Sequence, residues 1–212
     1  MESSANFLLL LVIPLNFFIL GSSRLGACIR STALQGSILA MASLLVHPLT
    51  VHTLFLASAA LALKGLLMPW LLFRAIRQVQ IRREIEPLIG YVPTLLLGTL
   101  AMAGAFIFSD LLPLIEPHRG SMIVSVGLAT LATGFLVLAT RRKALTQVLG
   151  YLIFENGVFI FGMLLAEAMP VIVEAAILLD LLVAVFIMGI VINQISREFP
   201  TTDLENLSSL RE

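Results

Sequence analysis

The feature that most constrains this 212-residue chain is the length of its apolar stretches. Several exceed the roughly 18 residues that carry a helix across a bilayer. Inside hydrocarbon no water is available to the backbone, so such a stretch must satisfy its own hydrogen bonds as a helix. A membrane barrel would show short alternating segments instead. Composition agrees: 59% of residues are hydrophobic, mean hydropathy is +1.04 and only 12% are charged, about half the charge of a soluble domain. The expected fold class is all-α, a polytopic membrane protein of about seven transmembrane helices.

The apolar text divides into helices at about 5–22, 27–47, 50–73, 88–112, 120–140, 145–167 and 171–194. Pro14 and Pro69 fall inside helices and predict kinks. Lys and Arg collect in alternate loops: Arg24 and Arg30; Arg74, Arg77, Arg82 and Arg83; Arg141, Arg142 and Lys143; then Arg197 and Arg211 in the tail. The opposite loops hold only Arg119, with Asp110, Glu116, Glu167 and Glu174 near that side. The asymmetry places the N-terminus outside and the C-terminus in the cytoplasm. Met1-Glu2-Ser3-Ser4 lacks the positive start of a signal peptide, so Leu25-Gly26-Ala27-Cys28 is read as ordinary chain and not as a lipoprotein cleavage site.

Four regions follow: an N-terminal three-helix unit (1–87), a spacer helix and outer loop (88–119), a second three-helix unit (120–196) and a polar tail (197–212). Residues 60–69, ALALKGLLMP, stack on 176–185, AILLDLLVAV, so that Lys64 meets Asp180. Helices one to three therefore echo helices five to seven, as in parallel repeats of some transporters.

Three ionisable residues fall deep within the apolar text: Lys64, Glu155 and Asp180. Each lies roughly 13–21 Å from a helix end at 1.5 Å per residue, too deep to snorkel easily. A charge at the centre of a membrane helix costs on the order of 2.5–3.5 kcal/mol on insertion scales, and such residues usually mark ion or proton paths or pair with one another. Lys64 paired with Asp180, or with Glu155, would serve as well for a purely structural lock. Three groups leave one charge unmatched, which favours a proton relay. Asn156 beside Glu155 is an accessory candidate, able to hydrogen-bond across helices. Gly150 and Gly157 share a face displaced from Glu155 and read as packing positions. Glu174 reads as an outer-rim residue and a candidate exit group. His47, His52 and His118 read as loop bystanders.

Several function classes drop out. The formal net charge is zero, so no basic surface for nucleic acid is implied. The single cysteine, Cys28, cannot form an internal disulfide, and no Cys/His cluster has metal-ligand spacing. No nucleophile–base pairing, phosphate loop or nucleotide motif is legible. No metal, cofactor or catalytic residue is therefore expected in this chain.

Residues 150–195, GYLIFENGVFIFGMLLAEAMPVIVEAAILLDLLVAVFIMGIVINQI, resemble the hydrogenase 4 membrane component E family, as do LKGLLMPWL around Lys64 and the tail DLENLSSLRE. That family is similar in its C-terminal helices to the K-type subunit of respiratory complex I and to the C subunit of multisubunit cation/proton antiporters. The resemblance implies a subunit of a group 4 [NiFe] hydrogenase or formate hydrogenlyase-type complex in the bacterial cytoplasmic (inner) membrane. Its partners would be antiporter-like membrane subunits and other hydrogenase-complex subunits, and the metals would lie in those partners. K-type subunits carry intramembrane carboxylates on two adjacent helices. Glu155 matches the first by motif, and Asp180 falls at the second as Asp in place of Glu.

The expected function is thus a non-catalytic subunit in which Glu155 and Asp180 pass a proton, with Lys64 setting their proton affinity by charge proximity and Glu174 and Asn156 as accessories. The rivals are a structural bridging subunit without ion conduction, a cation/proton antiporter subunit, and a free-standing secondary transporter.

Overall fold

Among the described residues six stretches are helical over lengths that apolar side chains can hold in a bilayer, and their order is simple. The computed structural model describes residues 2–46, 48, 50–79, 87–112, 122–165 and 189. Among them every regular element is helical. We number the spans α1 (Glu2–Leu10 and Val12–Gly21), α2 (Leu25–Val46), α3 (Val51–Ala60, Leu61–Leu67 and Met68–Val79), α4 (Tyr91–Leu111), α5 (Ile123–Thr140) and α6 (Ala144–Leu165). All six are long and apolar enough to cross a membrane. The expected seventh helix, 171–194, lies outside the described residues apart from Gly189.

Pro14 and Pro69 each leave a local mark. Pro14 has no N–H for the carbonyl one turn back, and α1 is interrupted at Leu11, whose own N–H reaches Phe7 at 3.3 Å. Pro69 follows a π-helical stretch, Leu61–Leu67, in which the Met68 N–H bonds back five residues to the Leu63 carbonyl. The expected kink of α3 is thus a widened turn one residue before the proline ring. α3 also runs six residues past its expected end, carrying Arg74 and Arg77. The Arg74 guanidinium lies 5.6 Å from the Trp70 ring centre, so the long side chain spreads over apolar surface while its charge reaches outward. α3 begins at a reciprocal cap: Thr50 Oγ1 accepts from the Thr53 N–H at 3.1 Å, and Thr53 Oγ1 accepts from the Thr50 N–H at 2.8 Å.

Among the described helices α5 and α6 form the tightest pair, and small residues are the cause. A Cβ on Gly157 would sit 2.7 Å from the Leu131 backbone nitrogen, and one on Gly150 would sit 2.9 Å from that of Leu138. A Cβ on Gly134 would collide with the backbone of Phe154. Only glycine allows the two backbones this close, and close approach is what holds helices together where lipid is as apolar as leucine. The packing reading of Gly150 and Gly157 therefore holds.

Among the described residues two apolar clusters lie in the interior. One lies toward the end of the bundle that carries Arg24, Arg77 and Arg142, and includes Leu20, Leu25, Ile29, Leu72, Leu149 and Ile153. The other lies toward the opposite end and includes Leu9, Val12, Leu39, Val126, Ile160 and Met163.

Arg141 departs from its expected place. Read as a loop cation, it is 4% exposed. Its Nη2 donates to the Leu20 carbonyl at 3.3 Å, and its guanidinium lies 5.2 Å from the Tyr91 ring centre. A cation at the C-terminal end of α1 meets carbonyls with no helical partner and the negative end of the helix dipole, which accounts for the burial.

The packing argument sets an expected outcome. Gly157→Val forces α5 and α6 apart and costs about 1–3 kcal/mol, the usual range for overpacking. Gly104→Ala, with nothing within 4 Å of the added methyl, costs no stability and gains up to about 1 kcal/mol of helix propensity. Unfolding midpoints of the full chain in bicelles compare the two; equal loss in both contradicts the close-packed seam.

Candidate functional site

Between the two apolar clusters runs a layer of polar side chains at the middle of the spans. α3 supplies Lys64 and α6 supplies Glu155. Lys64 Nζ lies 2.7 Å from Glu155 Oε1, and both side chains are enclosed, at 9% and 7% exposure. Glu155 and Phe159 are four residues apart on α6 and share a face. The ammonium uses both: it also lies 5.0 Å from the Phe159 ring centre, where the ring face adds cation–π attraction. Asn156 is buried next to Glu155.

Two local features bring Lys64 to this position. It sits at the centre of the π-helical stretch Leu61–Leu67. A widened turn shifts the register of the side chains that follow it, and such turns recur at functional sites. The facing residue on α2 is Gly36, where an added Cβ would lie 2.7 Å from Lys64 Cβ. Reciprocally, a Cβ on Gly65 would lie 2.9 Å from Ser37 Oγ. The two backbones interlock, and the lysine stem passes α2 to reach α6.

A second polar group shares the layer. Gln35 Nε2 on α2 donates to Asn16 Oδ1 on α1 at 2.7 Å, and Asn16 Nδ2 donates to Thr130 Oγ1 on α5 at 3.0 Å. Thr130 Oγ1 in turn donates to the Val126 carbonyl at 2.7 Å. All three side chains are at 0% exposure. Near the far end of the bundle the hydroxyls of Ser109 and Ser125 join α4 to α5.

Of the expected relay residues the structure therefore brings Lys64 and Glu155 together. The pairing of Lys64 with Glu155 read from the sequence is formed; the pairing with Asp180 lies outside the described residues. Asp180 and Glu174 lie outside the described residues, as do His47 and His118. Among the described residues no group of three His, Cys, Asp or Glu side chains gathers as metal ligands would. Asn16, Gln35 and Thr130 carry no charge and so do not stand out in the sequence as ionisable residues do. Their signal is an amide inside apolar text, VIPLNFFIL around Asn16 and STALQGSIL around Gln35, because an amide in hydrocarbon needs a partner as a charge does.

A helical membrane protein with a lysine–carboxylate pair enclosed between apolar layers is the class that fold and site define. The chain is 30% identical over 157 residues to hydrogenase-4 component E of Escherichia coli K12, covering 73% of this chain and 72% of that protein. The corresponding protein of Shigella flexneri matches equally. An uncharacterised protein of Mycobacterium tuberculosis is 31% identical over 99% of this chain and 100% of its own length. The chain belongs to the hydrogenase-4 component E family. No family model and no solved structure matches it.

Removing one member of a buried ion pair leaves the other uncompensated, at a cost of about 3–5 kcal/mol. Lys64→Met or Glu155→Leu alone is expected to lower the unfolding midpoint of the full chain sharply. The double variant is expected to recover most of that loss, since apolar side chains of similar volume replace such pairs well. Additive losses in the double-mutant cycle contradict direct coupling of the two residues.

Proposed function

We propose that this chain is a non-catalytic membrane subunit of a hydrogenase-type complex and that Lys64, Glu155 and Asp180 handle protons within the membrane. The observation that carries the reading is the Lys64–Glu155 pair, 2.7 Å apart and enclosed by protein. Intramembrane ionisable residues are expensive to bury and mark ion and proton paths more often than not. The family adds to it: its Escherichia coli member is a hydrogenase-4 component, which supports other hydrogenase-complex subunits as partners, and the proposal takes antiporter-like membrane subunits to be among them.

In this reading the chain crosses the bacterial inner membrane several times, with its N-terminus outside. The end of the bundle bearing Arg24, Arg77 and Arg142 faces the cytoplasm. Glu155 takes and releases the proton, Lys64 supplies a charge whose proximity sets how readily it does so, and Asp180 on the seventh helix is the next carboxylate. Asn156 lines the same layer, and Glu174 is the exit group. The apolar clusters above and below the layer fit transfer within the plane of the layer, toward neighbouring subunits, better than passage straight through this chain.

A structural reading has one observation in its favour. The ion pair is closed, and a closed pair between α3 and α6 fastens helices without moving a proton. In that case the chain bridges its partners and conducts nothing.

Glu155→Gln and Asp180→Asn in the assembled complex separate the two. Loss of an acid–base group at a proton-transfer step typically costs 10²–10⁴-fold, so each variant is expected to reduce coupled proton movement by about 100-fold or more while the complex still assembles. Unchanged proton movement in both contradicts the relay. Failed assembly, restored by exchanging Lys64 and Glu155 with each other, supports the bridging reading.

A further inference from the structure

Arg141 carries a buried charge that the other described residues do not balance. We propose that it holds a phosphate oxygen of a phospholipid headgroup, in a pocket where the ends of α1, α2, α5 and α6 meet. The inference stands apart from the reading of Lys64 and Glu155 as a proton-handling pair.

Among the described residues the acids are Glu2, Asp110 and Glu155. Glu155 faces Lys64. Glu2 and Asp110 belong to the opposite end of the bundle, at the start of α1 and the end of α4. No described carboxylate therefore reaches Arg141, which is 4% exposed. Its Nη2 donates to the Leu20 carbonyl, but its Nη1 is buried and has no acceptor among the described residues. The same holds for the hydroxyl of Tyr91, carried on the ring that the guanidinium covers. A carbonyl dipole and a ring face ease the burial of a cation without neutralising it, and buried charges are as a rule paired.

Arg141 lines a small pocket. Ser22 borders it just past α1, Leu25 and Cys28 from the start of α2, Val137 from the end of α5 and Thr146 from the start of α6. Its volume, about 10 Å³, is close to the least that admits one water-sized guest. A water would fill the space and leave the charge unmatched. One oxygen of a phosphate monoanion fills it and brings the counter-charge, while the rest of the group stays outside. Guanidinium suits that guest, since its hydrogen bonds to phosphate are charge-assisted and its planar fork matches the oxygens.

Depth and rim charge select a lipid as the source of the phosphate. Arg141 caps α5, whose apolar span ends at Thr140, and the end of a span is the level of the headgroups. Arg24 lies between the pocket residues Ser22 and Leu25, and Arg142 follows Arg141; both are exposed. Basic pockets between helices at a membrane surface recognise anionic headgroups. This rim favours phosphatidylglycerol, which is net negative, over phosphatidylcholine, whose quaternary ammonium offsets its own phosphate.

The test uses the full chain purified in detergent and titrated with phosphatidylglycerol, phosphatidylcholine or inorganic phosphate, with bound lipid counted by native mass spectrometry. A tightly held phosphatidylglycerol is expected on each chain. Phosphatidylcholine is expected to bind about tenfold more weakly, as two exposed cations beside a headgroup dictate, and inorganic phosphate is expected not to displace the lipid. Arg141→Gln is expected to weaken phosphatidylglycerol binding about tenfold or more, the effect of one hydrogen bond to a charged group. Arg30→Gln removes an exposed cation of the same end, one that lies over the Phe73 ring, and is expected to change binding less than about twofold, as for a solvated surface charge. Equal weakening by the two variants means general surface charge and overturns the proposal. Displacement by inorganic phosphate means a free-ion site and overturns it as well. So does a wild-type chain that holds both lipids alike or retains no phosphatidylglycerol, and these readings need no variant, so the test stands even if Arg141→Gln does not fold. Retention of no lipid leaves Arg141 to a carboxylate of a partner subunit, or to Glu84 or Glu86, which lie outside the described residues.

Discussion

Burying a charge in hydrocarbon is the constraint on which the rest of the structure depends. Neither Lys64 nor Glu155 can stay ionised against acyl chains at tolerable cost. Each is therefore turned inward, and the bundle is arranged so that they meet at 2.7 Å. α2 yields space at Gly36 so that the lysine can pass. α3 widens into a π-helical stretch around it. α6 presents Glu155 and Phe159 on one face, carboxylate and ring both toward the ammonium. The glycines of α5 and α6 hold the carboxylate-bearing helix firmly from behind.

The same constraint shapes what surrounds the pair. Polar groups in a low-dielectric interior attract one another strongly and are costly when left alone. Asn16, Gln35 and Thr130 accordingly hydrogen-bond to one another across three helices at the level of the ion pair. Apolar clusters close the layer on both sides. The result is a thin polar layer between two apolar ones, and this placement, more than the presence of a carboxylate, suits a subunit that acts within a larger membrane assembly.

Much of this architecture is written in apolar run length, because a membrane span needs about twenty apolar residues whatever its neighbours are. Six of the expected spans appear near their expected bounds. Lys64 and Glu155 stood out for the same reason: a charge in apolar text has no cheap explanation. What remained hidden depends on three-dimensional proximity. Pro69 announced a distortion but not that it takes the form of a π-turn centred on Lys64. Arg141, adjacent to Arg142 and Lys143, read as a loop cation, since nothing local shows that the Leu20 carbonyl waits beside it. Asn16 and Gln35 are nineteen residues apart, and their pairing follows only once α1 and α2 are packed. Amides also weigh less than charges in a reading that looks for ionisable groups.

The central claim is that Lys64 and Glu155 face each other inside the bundle. A cryo-electron microscopy map of the complete complex in lipid nanodiscs, at a resolution that shows side chains, measures this directly. The account requires the ammonium within hydrogen-bonding distance of the Glu155 carboxylate, with both residues enclosed by α2, α3 and α6. A map in which Glu155 points into acyl chains, or in which Lys64 lies beyond reach of it, contradicts the account.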